Sequence, residues 1–318
     1  MAQAAGVTRY AARPILSFYA LSQAGRAIAA CRLSADPRLI AHGLSATTGS
    51  GNGVLETTVR PDDPPNPLSS FEGVSRALGS PPLAGSASLG ALWAANPDLA
   101  ETEINDPAAS SWARGFEVDL GAQSIGAPTP GVEQDPNVAM VTTGGWVQFA
   151  IDLPGETAGE VKQRLSVYPT LQGASPYGTV PNGLAAVGDD EPVTRIEMLP
   201  GTGPKVLVGV PTGSNESTFT EYWRAQESMC SFVEVSHETP HTRTGLVLPK
   251  VGSGSSPEPL MLWWALLLGL SSIARYDPAL WTRTVDPDAS TLAVGLERVL
   301  DIADARVPER ILASLQAA

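Results

Sequence analysis

Helical periodicity of apolar residues marks both ends of the chain. Over residues 13–32, apolar side chains recur at three- and four-residue intervals with small residues between them, which is typical of a helix buried on several sides. Pro14 suits a first helical turn, and residues 34–37 supply a stop signal. We predict a helix from Arg13 to Arg32.

The C-terminal part is helical as well. Residues 260–274 are the most apolar stretch, but this run is shorter than the ~20 apolar residues that a membrane span needs. We therefore predict a buried core helix over 257–276. Asp277-Pro278 should end or kink it. An amphipathic helix is predicted over 290–305, and a last helix should begin at Pro308.

The middle of the chain has short, partly alternating apolar runs separated by Gly, Pro, Asn and Asp, a pattern typical of strands. The predicted strands are 116–120, 139–151, 161–168, 193–198, 205–210, 231–236 and 244–248. Short helices are predicted at 70–78 and 86–95, after a loop over 43–68 with a strand at 54–59. We therefore expect an α+β fold, in which a helical bundle formed by N- and C-terminal helices carries an inserted antiparallel β-rich region.

These patterns define an N-terminal helical part (1–114), a β-rich insert (115–250) and a C-terminal helical part (257–318) that packs with the N-terminal helices. The 318 residues suit one large domain or two interleaved ones. We expect one composite domain.

Composition narrows the functional classes. The net charge of −13 disfavours general nucleic-acid binding but leaves room for a local basic pocket. Two cysteines are no disulfide framework, and neither a signal peptide nor a membrane span is recognisable. We expect a soluble, cytoplasmic protein.

Three segments resemble the YaaC-like family of uncharacterised bacterial proteins. They are the helix that begins RPILSFYALSQAGR at Arg13, the turn Ala41-His-Gly-Leu44, and 260–281 with its ending SIARYDPALW. Members of this family have a longer region before the first helix, whereas only about a dozen residues precede Arg13 here. The resemblance implies a bacterial protein, and it carries no catalytic residues across because the family has no established activity.

Polar residues in these segments form the favoured candidate site. Positions i, i+4 and i+7 of a helix lie near one face, and an arginine pair with histidine and tyrosine would suit an anionic or nucleotide-like ligand if the terminal helices pack. The candidate ligand-binding residues are Tyr19, Gln23, Arg26, His42, Arg275 and Tyr276. Alternatively, the two arginines pair with carboxylates or helix ends, and His42 is structural.

A second pattern, His237-Glu238-Thr-Pro-His241, has the spacing of a zinc-protease motif. That motif requires a helical turn that places both histidines on one face. Pro240 lies inside the turn and residues 230–236 are strand-like, so we favour no metal. No cofactor is favoured either.

The leading hypothesis is a binding or interaction protein with a pocket for a small anionic or nucleotide-like ligand. One alternative is a hydrolase, either metal-dependent through His237 and His241 or nuclease-like through His42, which follows Arg38 by four positions. Another is a structural subunit of a homo- or hetero-oligomer, with Trp263 and Trp264 at the interface, although burial in the core is the simpler expectation for these tryptophans.

Overall fold

The computed structural model describes residues 10–33, 39–48, 53–119, 140–142, 146–151, 153–181, 183–197, 204–211, 232–239, 242–254 and 256–316. Contacts divide the chain into two compact units. The first consists of Met1–Gly115 and Lys250–Ala318, and the second of Phe116–Pro249. The helices from both ends of the chain therefore share one unit.

The first unit contains six of the described helices and a small sheet. Its elements in chain order are α1 (Arg13–Arg32), β1 (Leu44–Thr47), β2 (Thr58–Pro61), α2 (Ser70–Leu78), β3 (Ala87–Ser88), α3 (Leu89–Ala95), α5 (Pro259–Tyr276), α6 (Pro278–Thr284) and α7 (Ala293–Gln316). The strands are antiparallel in the order β1-β2-β3. Short 3-10 helices occupy Val54–Glu56, Pro97–Leu99 and Pro107–Ser111.

Helix α5 forms the centre of this unit. Every residue from Pro259 to Ile273 is buried, and the helix packs against α1, α3, α6, α7 and β1. Among the described helices, only α5 is long and apolar enough to cross a membrane, but 78% of it is buried inside the protein. This burial confirms the predicted core helix.

Helix α1 packs on α5 along a face of small and apolar residues. Phe18, Leu21 and Ile28 are fully buried, and the predicted bounds of α1 are confirmed. Tyr19 contacts Arg275 near the end of α5, whereas Gly25 faces Trp264 nearer its beginning. The two helices therefore run antiparallel.

The C-terminal helices differ from the prediction at one proline. Tyr276 ends α5 and Pro278 opens α6, as Asp277-Pro278 predicts. The predicted break at Pro308 is wrong, because α7 runs from Ala293 through this residue to Gln316. Buried side chains before the proline, Ala303 and Val307 among them, and the partly buried Ile311 and Leu315 after it hold the helix together through packing.

The second unit contains α4 and two described antiparallel sheets. Its elements are β4 (Phe116–Asp119), β5 (Met140–Thr142), β6 (Trp146–Ile151), α4 (Ala158–Leu165), β7 (Ser175–Val180), β8 (Gly183–Ala186), β9 (Arg195–Glu197), β10 (Pro204–Pro211), β11 (Phe232–Thr239) and β12 (Thr242–Val247). One sheet has the order β5-β6-β10-β7-β8 with β9 paired to β10, and the other has the order β11-β12-β4.

One predicted strand, 161–168, is wrong. Its residues belong to α4, whose buried side chains are Ala158, Val161 and Leu165. Thr157 and Glu160 form a capping box that satisfies the first backbone N–H groups of the helix. The expected strand at 54–59 is also only partly right, because Val54–Glu56 is a 3-10 helix and β2 begins at Thr58.

The architecture is α+β, as the sequence predicts: helices from the two chain ends pack together, and the antiparallel β-rich region is inserted between them in the sequence.

Candidate functional site

The packing of α1 on α5 brings together polar groups that are far apart in the sequence. The Nη1 of Arg275 donates a hydrogen bond of 3.0 Å to the hydroxyl of Tyr19. The guanidinium carbon of Arg275 also lies 5.8 Å from the centre of the Tyr19 ring and 4.9 Å from that of Tyr276. Because Tyr19 accepts this bond, its own O–H proton is free to donate to a further group.

His42 joins these residues from the segment before β1. Its ring centre lies 5.4 Å from that of Phe18 and 6.4 Å from that of Tyr19. Gly43 follows with φ +87°, and a Cβ there would lie 2.6 Å from the Cβ of Ser69. The chain therefore needs glycine after His42 in order to turn into β1 against Ser69.

Two guanidinium groups set the electrostatics around His42. Burial lowers the pKa of His42 below its ordinary value of 6.5, and the charges of Arg275 and Arg26 lower the pKa further. Asp62 acts in the opposite direction, and its backbone N–H donates to the carbonyl of Gly43 at 3.1 Å. The imidazole is therefore neutral at pH 7, next to two permanent positive charges.

Each of the two arginines buries a donor that no described residue satisfies. The Nε of Arg26 and the Nε of Arg275 are both buried without a hydrogen-bond partner in the part of the chain that the structure describes. Within the same residues, neither arginine forms a salt bridge. An unsatisfied buried donor costs about 1–3 kcal/mol. Such a donor needs an acceptor from water, an ion or a ligand.

These observations define the basic cluster: Tyr19, Arg26, His42 and Arg275. Among the described residues, the Nε of neither arginine has the carboxylate or helix-end partner of the alternative expectation. Gln23 lies on α1 one turn after Tyr19 and is exposed. Tyr276 is 75% exposed and stacks with Arg275 at the rim.

The zinc-protease pattern falls on a strand. His237 and Glu238 both belong to β11, whereas the zinc-protease motif requires a helical turn. His241 and Pro240 lie outside the described residues. Among the described residues, no group of three or more His, Cys, Asp or Glu side chains could hold a metal ion. Arg38 of the Arg38–His42 pair also lies outside the described residues.

A second polar network was not predicted from the sequence. The Asp98 carboxylate accepts two bonds of 2.6 Å from Arg310 and one of 2.7 Å from the indole N–H of Trp263. Burial acts to raise the pKa of Asp98, but the hydrogen bonds and charge of Arg310 outweigh it and hold that pKa below its ordinary value. Because these groups satisfy one another, the network has a structural role.

Trp263 and Trp264 are both fully buried within the chain. Their expected place in the core is confirmed. The alternative in which their side chains form an oligomer interface is wrong, because neither reaches the surface.

Comparison with known proteins shows that part of the chain is similar to one family. No curated protein and no solved structure matches the chain. The model of the family described as YaaC-like protein matches residues 214–315, which include the predicted C-terminal signature at 260–281 but not the segments at 13–26 and 41–44. The resemblance inferred from the sequence is thus confirmed over 214–315, where the chain is similar to the YaaC-like protein family.

Proposed function

We propose that the protein binds a small anionic or nucleotide-like ligand at the basic cluster. The observation that carries this proposal is the pair of buried, unpartnered Nε donors on Arg26 and Arg275. Charge-assisted hydrogen bonds from guanidinium groups are among the strongest available to an anion. A ligand that accepts them would remove the cost of both unsatisfied donors.

The rest of the cluster suits the same ligand. The Tyr19 hydroxyl accepts from Arg275, which leaves its proton to donate, and His42 presents an imidazole on which both positive charges act. The exposed ring of Tyr276, stacked on Arg275, offers a face on which the base of a nucleotide-like ligand can stack. The net charge of −13 makes this local positive region unusual for the chain.

The test is a thermal-unfolding screen of the full chain with inorganic phosphate, sulfate, dicarboxylates and nucleotides. A ligand present at 100 times its Kd should stabilise the folded state by about 2.7 kcal/mol. We expect at least one anion to raise the Tm of the wild-type protein. The shift should be lost in Arg275→Ala.

Arg283→Ala provides the matched control, because Arg283 lies on α6 of the same unit and is exposed. This variant should keep the full ligand-induced shift. An absence of stabilisation by every anion, or equal shifts in Arg275→Ala and Arg283→Ala, would refute the proposed site.

A second candidate function, hydrolysis that uses His42 as a general base, has one supporting observation. The lowered pKa of His42 leaves its imidazole neutral and able to accept a proton at pH 7. Turnover of a phosphodiester or phosphomonoester probe that disappears in His42→Gln would support hydrolysis. If the protein binds the ligand but does not turn over the probe, hydrolysis is refuted and only the binding function remains.

A further inference from the structure

Building on the proposed anion site, we propose that its ligand presents a tetrahedral, dianionic phosphoryl group and that His42 takes up a proton as this group binds. The donors of the basic cluster come from three separate segments. Tyr19 and Arg26 lie on α1, His42 precedes β1, and Arg275 lies at the end of α5.

This distribution of donors favours a tetrahedral anion over a planar one. A carboxylate has two oxygens in one plane and is best bound side-on by a single guanidinium group. Arg275 uses Nη1 on Tyr19, and a carboxylate held on its remaining Nε edge would leave the Nε of Arg26 without an acceptor. A phosphoryl group has three or more oxygens that point in different directions, and it can accept from α1, His42 and α5 at once.

The charges that surround His42 explain why it is neutral without a ligand and can take up a proton when a ligand binds. Arg26 faces it from α1 and Arg275 from α5, and both disfavour an imidazolium ion. Tyr19 is in ring contact with it. Asp62, beyond the end of β2, is the carboxylate that acts on His42, and Glu72 of α2 in turn interacts with Asp62.

A bound dianion reverses this balance. Two negative charges between Arg26 and Arg275 offset the repulsion that keeps His42 neutral, and an imidazolium N–H can donate to a phosphoryl oxygen. The proton comes from solvent and stays on the ring, so the only bond formed is an N–H bond. Ligand affinity must then depend on pH, because binding and protonation are linked.

Isothermal titration calorimetry with inorganic sulfate measures proton uptake by the protein alone. Sulfate itself takes up no proton, since it stays a dianion across the pH range. Titrations in two buffers with different ionisation enthalpies should show uptake of up to one proton per sulfate. Affinity should fall with rising pH above the His42 pKa of the free protein, by up to about tenfold per pH unit. A pH-independent affinity with no proton uptake would overturn the proposal.

His42→Gln is the matched variant, and it should bind sulfate without proton uptake. The imidazole NMR signals of the wild-type protein report the protonation of His42 directly. The chain has only three histidines, so His42→Gln assigns the signal of His42. That signal should titrate at higher pH when sulfate is bound. An unchanged titration midpoint would contradict proton uptake.

A comparison of phosphate with succinate, a dianionic dicarboxylate, tests the shape of the ligand. We expect phosphate to bind at least about tenfold more tightly, which corresponds to ~1.4 kcal/mol. Equal affinity would overturn the phosphoryl assignment while the anion site of the proposed function stands. If no anion binds at all, the proposed function itself fails, so the two outcomes are distinguishable.

Discussion

At the scale of single residues, the basic cluster combines groups that cost stability when the site is empty. The Nε atoms of Arg26 and Arg275 are buried and have no hydrogen-bond partner among the described residues. Buried polar groups are otherwise satisfied in most folded proteins. Residues that lower stability in this way are expected where a ligand supplies the missing partner.

Gly25 on α1 allows the close packing on α5 that positions this cluster. A Cβ at this position would overlap the ring of Trp264, with Cη2 only 2.9 Å away. Alanine normally favours a helix over glycine by about 1 kcal/mol, but overpacking a rigid core costs about 1–3 kcal/mol. We predict that Gly25→Ala lowers the free energy of unfolding by about 1–2 kcal/mol, measured by denaturant titration.

Gly53→Ala is the control for this substitution. Gly53 has φ −67°, and a Cβ there would meet no atom within 4 Å. Its effect should stay within about 0.5 kcal/mol. If Gly25→Ala stabilises the protein as much as an exposed helical position would, α1 and α5 do not pack as described.

At the scale of elements, α7 contains a proline where a helix should break. A proline in a helix interior removes one backbone hydrogen bond and clashes with the preceding turn, at a cost of ~3 kcal/mol. Pro308 is exposed, so its side chain contributes little core packing. We predict that Pro308→Ala raises the free energy of unfolding by about 1–2 kcal/mol. This gain is smaller than the full cost of the proline because the proline also lowers the entropy of the unfolded chain.

Ala305→Gly, at an exposed position one turn before Pro308, checks that this part of α7 unfolds with the rest of the protein. This change should cost about 1 kcal/mol. A loss of stability in Pro308→Ala, together with the expected loss in Ala305→Gly, would show that α7 is bent or broken at the proline.

The elements that the sequence predicts correctly are those whose local signals agree with their packing. Helix α1 has helical periodicity, a proline in its first turn and small residues facing α5, and α5 is apolar on all sides. Residues 161–168 have the short, partly alternating apolar pattern that predicts a strand, but most of them belong to α4. The capping box of Thr157 and Glu160 was the local signal for a helix there.

The candidate site was predictable only where packing of the terminal helices could be assumed. The convergence of Tyr19 with Arg275 follows from that packing, and His42 is a candidate because it lies in a family-like segment. The Asp98–Arg310 pair was missed because 212 positions separate its members. Periodicity identifies which face of a helix is buried, but it does not identify the partner of a buried charge.

At the scale of the whole molecule, ion pairs connect distant parts of the first unit. Arg13 of α1 bonds Asp301 and Asp304 of α7 at 2.8 Å each, and Arg310 of α7 bonds Asp98. These pairs hold α7 against the N-terminal part of the chain. That part includes α1, which contributes Tyr19 and Arg26 to the basic cluster.

Asp98→Asn should lower the free energy of unfolding by roughly 2–4 kcal/mol at pH 7, because it leaves the charge of Arg310 without its partner. The pKa of Asp98 is lowered in the folded state, so its contribution is present above the unfolded pKa of ~3.9. The contribution is lost as pH falls through the folded pKa. The difference between wild type and variant should therefore shrink below about pH 4 in denaturant titrations.

Glu101→Gln serves as the control, since Glu101 is exposed and no described residue bonds its side chain. This variant should match the wild-type protein at every pH. If Asp98→Asn is equally neutral at pH 7, the network does not connect α7 to the rest of the unit.

The most direct test of the proposed function is equilibrium binding of inorganic phosphate at pH 7 to three proteins: the wild-type chain, the double variant Arg26→Ala/Arg275→Ala, and Arg283→Ala. We predict saturable binding at one site in the wild-type chain and in Arg283→Ala, and an affinity at least about tenfold weaker in the double variant. Unchanged affinity in the double variant, while it remains folded, or no binding to the wild-type chain would contradict the assignment of the basic cluster as an anion site.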